Sequence, residues 1–131
     1  MQKKEAIAIV GIGGLFPGSE TLVDFWDHIL NGRQLSERIG EDRWPVDIDD
    51  VYDEAIGKID KVYSKKACVV KKEWVSLDES IIKLPTSQLS QLDELFRLLL
   101  FAGQEAYKDA KLAQCDLSRA GVVVGNLVLP T

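Results

Sequence analysis

Four glycines fall within the eight positions from Gly11 to Gly18 of "AIAIVGIGGLFPGSETLVDFW", residues 6–26. A glycine-rich turn between an apolar run and a helix is where many folds cradle phosphate. A dinucleotide fingerprint starting at Gly11 and Gly13 needs glycine at position 16, where Phe16 stands, and no second strand follows soon enough to offer an acid to a ribose. A P-loop fails too: Gly13 and Gly18 have the right gap, but Ser19 and Glu20 replace the lysine and hydroxyl residue that hold phosphates and magnesium. The glycines suit a structural role instead. Gly11, Gly13 and Gly14 permit a tight strand exit and close backbone packing, and Gly18 completes a turn after Pro17.

The other reactive residue types are equally spare. Asp47, Asp49 and Asp50 suggest a calcium loop, but Val51 stands where a ligand belongs and Tyr52 where the sharp turn needs glycine, which leaves a solvated acidic loop. His28 precedes Ile29 in a helix pattern with no partner nucleophile in sequence, so it reads as a helix-surface histidine. Cys68 and Cys115 have neither Cys-x-x-Cys spacing nor a neighbouring histidine, which argues against a zinc site, a disulfide framework and a thiolate nucleophile. Lys65, Lys66, Lys71 and Lys72 form either a solvated face or a basic patch for an acidic protein.

These residues are carried by a recognisable series of elements. Residues 6–12 are a β-branched apolar run suited to a strand buried on both faces. Thr21 and Asp24 form a capping box, and Leu22, Phe25, Trp26, Ile29 and Leu30 follow at helical spacing until Gly32. Residues 33–84 lack long periodicity and read as an irregular excursion, with a short hairpin around 63–75; an excursion of this length suggests packing on a larger body. Ser90 and Asp93 give a second capping box, opening a helix over 93–111 with Leu92, Phe96, Leu99, Gly103, Ala106 and Ala110 in series. Its middle, "LLLFAG", is apolar on nearly every side, as in a helix covered on more than one face. A short strand over 121–125 follows, and a right-handed crossover would set it parallel to the first.

The chain has 131 residues, enough for about one domain, with 46% hydrophobic residues and a formal charge of −5. That charge disfavours nucleic acid as a partner. No segment reaches the roughly 20 apolar residues of a membrane span, no cleavable leader is evident, and the cysteine usage fits a reduced, cytoplasmic chain.

The residues resemble the β-ketoacyl synthases of modular and iterative polyketide and polyunsaturated-fatty-acid synthases. "IAIVGIGGLFPGSETLVDFWDHILNGR" is similar to the opening of those domains. "EDRW" at 41–44, "VYD" at 51–53, "GKIDKVYSKK" at 57–66, "LDELFRLLL" at 92–100 and "AGVVVGN" at 120–126 follow in the family's order. "GNLVLPT" is closest to the polyunsaturated-fatty-acid branch. The motif positions taken from this resemblance are Gly11, Gly13, Gly14, Arg43, Trp44, Asp93, Arg97 and Gly125. There are departures: Ala67 and Cys68 replace two glycines, and Asp93, Glu94, Leu95, Phe96, Arg97 replace the family's Asp-Pro-Gln-Gln-Arg.

The resemblance implies an α/β, partial thiolase-like fold, mostly parallel strands with covering helices and a long irregular excursion. Residues 1–131 would be the incomplete N-terminal segment of a ketosynthase domain. It implies no catalytic, cofactor or metal residue in this chain, because the acyl-accepting cysteine and two assisting histidines would lie beyond Thr131. Implied partners are the remainder of that domain, an acyl carrier protein bearing phosphopantetheine, and a second copy in a homodimer. The alternative is a divergent, noncatalytic ketosynthase-like binding or structural module.

Overall fold

The computed structural model describes residues 6–125. Helix α1, Leu22–Leu30, begins where its sequence signature places it: the Thr21 side chain accepts from the Asp24 N–H at 3.1 Å, and the Asp24 carboxylate accepts from the Thr21 N–H at 3.0 Å. This reciprocal pairing satisfies two amide groups that the first helical turn leaves without partners. The chain leaves α1 through Asn31 and Gly32, the latter at φ +58°. Phe25 on the inner face stacks on Phe16, with ring centroids 3.8 Å apart, fixing α1 against the end of the glycine loop.

The excursion after α1 is irregular but tied. Strand β1, Glu37–Arg38, pairs antiparallel with β2, Lys66–Ala67, and the Ile39 N–H reaches the Lys65 carbonyl at 3.0 Å. The expected local hairpin over 63–75 is therefore absent: β2 finds its partner across the excursion, which lets Lys65 close on the acidic loop. Between these strands lie a 3₁₀ turn at Glu41–Arg43 and α2, Ile48–Val51, and a parallel bridge joins Tyr52 to Val62.

A 3₁₀ turn at Lys72–Trp74 leads to α3, Glu79–Ile82, and α4, Thr86–Leu89. The main helix, α5, spans Glu94–Asp109. Its start corrects one sequence expectation: Ser90 is the C-cap of α4, and Asp93 alone caps α5 by accepting from the Leu95 N–H at 2.9 Å. This single bond to the N2 amide satisfies one of the donors that the first turn leaves open.

Among the described residues, Leu89 and Phe101 are the buried hydrophobic ones, and Ser19 and Gln104 the buried polar ones. Gln104 is a tie rather than a defect: its Oε1 accepts from the Asp78 N–H at 2.6 Å and its Nε2 donates to the Ser76 carbonyl at 3.0 Å, pinning the approach to α3 against α5. The stripe of Phe96, Leu99 and Gly103 expected to be buried is instead exposed. So is the first apolar run, with Ile7 at 96% and Ile9 at 83%. Neither residues 6–12 nor 121–125 pair as strands, so the crossover between them is not formed among the described residues. Apolar composition specifies these segments as strands, but a strand also needs a neighbour for its N–H and C=O groups. Within residues 6–125 no strand lies paired beside either segment.

Candidate functional site

Gly11 and Gly13 lie directly on α5. A Cβ at Gly13 would stand 2.2 Å from the Ala102 carbonyl oxygen and 2.3 Å from the Ala106 nitrogen. At Gly11 it would meet the Ala106 oxygen and the Ala110 Cβ, each at 2.6 Å. Only hydrogen fits between the two backbones, and the alanines on α5 make that approach possible. At Gly14 the obstacle is local, the Phe16 ring at 2.6 Å. The space where a phosphate would rest is thus occupied by a helix. The Ile12 N–H, which a phosphate cradle would need, donates to the Asp109 carboxylate at 2.8 Å. A carboxylate in that position also repels a phosphate.

Beside this junction the Ser19 Oγ lies 2.9 Å from His28 Nδ1. The distance suits a nucleophile and its base. However, Ser19 is only 1% exposed, so no substrate reaches its oxygen. The pair fastens the turn onto α1, and His28 is half-buried rather than a free surface group. No sequence pattern announces a contact across nine positions. Gln104 did leave a signal, a polar residue interrupting the apolar centre of α5.

Arg43 and Trp44 belong to a second cluster, around β1 and β2. Trp44 lines a pocket of about 630 Å³ with Arg38, Glu41, Asp47, Asp49 and Lys65. Lys65 sits over the Tyr52 ring, 4.4 Å from its centroid, and 3.6 Å from the Asp49 carboxylate. Lys58 pairs with Asp53, and this hydrogen bond holds the Asp53 carboxyl below its ordinary value. The acidic loop is therefore balanced by lysines of the same excursion. Among the described residues, no group of three or more histidine, cysteine or acidic side chains is arranged to hold a metal.

The remaining motif positions are dispersed. Asp93 caps α5, and the Arg97 N–H closes the first turn on the Asp93 carbonyl at 3.2 Å. Gly125 ends the described chain with no atom of the described residues near its Cβ position, and the rest of "GNLVLPT" lies outside the described residues. Cys68 and Cys115 are both exposed free thiols. The geometry brings together packing devices: a loop seated on a helix, a clamped turn and a capped helix start.

The family of that arrangement follows from comparison. The sequence model of the β-ketoacyl synthase N-terminal domain matches residues 4–128. The chain belongs to this family. It is 32% identical over 124 residues to the polyketide synthase PksL of Bacillus subtilis, covering 93% of the chain and 3% of the relative. It is 32% identical over 102 residues to the non-reducing polyketide synthase terA of Aspergillus terreus, covering 78% and 5%. Among solved structures, the oxazolomycin ketosynthase domain OzmH KS7 of Streptomyces albus superimposes with a TM-score of 0.60 at 26% identity, over 84% of the chain and 18% of that domain's chain. The fold is accordingly a partial α/β, thiolase-like one. Among the described residues no helix is long and apolar enough to cross a membrane.

Proposed function

We propose that the chain is the N-terminal scaffold segment of a β-ketoacyl synthase, which condenses an acyl thioester with a malonyl thioester on an acyl carrier protein in polyketide or fatty acid synthesis. The carrying observation is the family match across residues 4–128. In this reading the segment is not catalytic alone, and the acyl-accepting cysteine and two histidines come from the remainder of the domain. Its own work is positional: Gly11 and Gly13 seat the end of the first apolar run on α5, and Asp109 holds the Ile12 amide. The phosphopantetheine belongs to the carrier protein, the parent is a cytoplasmic homodimer, and residues 1–131 are an incomplete domain.

A second reading, a noncatalytic ketosynthase-like module, is favoured by the altered α5 entry, where Glu94, Leu95 and Phe96 stand in place of the family's Pro-Gln-Gln. A chimera separates the two. Residues 6–125 replace the matching part of a PksL ketosynthase domain, and condensation of acyl and malonyl thioesters is followed by mass spectrometry of the carrier. The scaffold reading expects β-ketoacyl product. A folded chimera that accepts the acyl group but makes no product contradicts it and favours the noncatalytic module.

A further inference from the structure

In the whole sequence, Asn31-Gly32 is the one place where an asparagine or aspartate precedes glycine. Such a pair is open to spontaneous ring closure, because glycine has no side chain to shield its amide nitrogen. Asn126, the other asparagine, precedes Leu127, whose branched side chain supplies that shielding. Asn31 and Gly32 are both exposed, and Gly32 holds φ +58°, a conformation that glycine adopts without strain.

Helix α1 ends on this pair, and its last turn keeps both reacting groups in hydrogen bonds. The Asn31 carboxamide is turned back along the helix: Nδ2 donates to the Asp27 carbonyl at 2.8 Å and to the Asp27 carboxylate at 2.9 Å. The Gly32 N–H donates to the Ile29 carbonyl at 3.1 Å, and the Arg33 N–H to the His28 carbonyl at 2.9 Å. The Arg33 guanidinium stands 4.0 Å from the Asp27 carboxylate. Ring closure requires the carboxamide to leave Asp27 and the Gly32 nitrogen to shed the proton it donates to Ile29, so the turn must open first.

We propose that Asn31 is a self-modification site of this chain, gated by Asp27 and the last turn of α1. With the turn open, solvent base takes the Gly32 amide proton and the nitrogen attacks Asn31 Cγ. A Cγ–N bond forms, the Cγ–Nδ2 bond breaks, and Nδ2 takes up a proton and leaves as ammonia. Water then adds to one carbonyl of the succinimide and a ring C–N bond opens. The product is aspartate at position 31, or isoaspartate, in which the main chain runs through the side-chain carbon. One water is consumed, one ammonia is released, and nothing is oxidised or reduced. Either product replaces a donor by a carboxylate one helical turn from Asp27, where like charges repel, and at the negative end of α1. The modified chain therefore loses the cap that held the site closed.

The test holds the 131-residue chain in mildly alkaline buffer and follows position 31 by peptide-mapping mass spectrometry and isoaspartyl methyltransferase labelling. Conversion is expected at position 31, with Asn126 intact, and Asn31→Gln should show no labelling there. Asp27→Ala should convert about threefold faster, the weight of one exposed hydrogen bond to a charged group. Asp27→Asn keeps an acceptor without the charge and should stay near the parent. In denaturing urea the parent and both Asp27 variants should convert at one faster rate. Should Asp27→Ala unfold, the parent's rate in buffer against its rate in urea still measures the gate. Absence of isoaspartate at position 31 overturns the proposal, as does a parent that converts equally fast in buffer and urea, or a folded Asp27→Ala chain no faster than the parent.

Discussion

Gly13→Ala tests the seating of the glycine loop on α5. The added methyl carbon would lie 2.2 Å from the Ala102 oxygen, 2.3 Å from the Ala106 nitrogen and 2.9 Å from the Glu105 carbonyl carbon. All three are backbone atoms within a hydrogen-bonded helix, so no side-chain rotation relieves the overlap and the loop must lift. Overpacking of this kind costs about 1–3 kcal/mol, more than the 0.4–1 kcal/mol that alanine gains by restricting the unfolded chain. A net loss of about 2 kcal/mol corresponds to roughly thirtyfold lower protection of α5 amides in hydrogen exchange. Gly103→Ala is the internal control, because its Cβ would meet nothing within 4 Å and it sits inside the same helix. There alanine gains about 1 kcal/mol, or about fivefold more protection. Equal effects from the two substitutions, or a Gly13→Ala change within threefold of the parent, would refute the proposed seating.

Three further outcomes follow from the helix ends. Lys111 holds φ 56° and ψ 39° just after α5, a conformation that favours glycine, so Lys111→Gly should stabilise the last turn by about 1 kcal/mol, read as about fivefold slower exchange there. Thr21→Ala removes the acceptor for the Asp24 amide and should lower α1 stability by about 1 kcal/mol, measured by exchange across Leu22–Leu30. Acid should weaken α3 and α5. Hydrogen bonds from Ser80 hold the Asp78 carboxyl below its ordinary value, and the bond from Lys108 does the same for Glu105. A carboxyl with a lowered folded-state value stabilises the fold above its unfolded value, and this contribution is lost as pH falls through the folded one. Helical circular dichroism should therefore hold to about pH 4.5 and decline below about pH 4, with a shallower decline in Asp78→Asn.

What was legible in the sequence was what neighbours in sequence decide. Thr21 and Asp24 specify the start of α1 through a contact three residues long, and the spacing of apolar residues specifies α5. The glycine loop was readable as structural because Phe16, Ser19 and Glu20 are wrong for phosphate. Its seat was not readable, since Ala102, Ala106 and Ala110 lie almost a hundred positions away and small residues carry no directional signal. Pairing across the excursion was missed for the same reason: two-residue strands at Glu37–Arg38 and Lys66–Ala67 have no periodicity to read. The runs at 6–12 and 121–125 show the opposite failure. Their composition specifies buried strands, while burial depends on atoms that residues 6–125 do not supply.

That dependence is the centre of the account, and calorimetry combined with analytical ultracentrifugation of the isolated 131-residue chain addresses it most directly. An open apolar surface predicts concentration-dependent association and a broad transition whose calorimetric enthalpy departs from the van't Hoff value. A monodisperse monomer with a sharp two-state melt would show that the chain closes its own core, and would contradict the account.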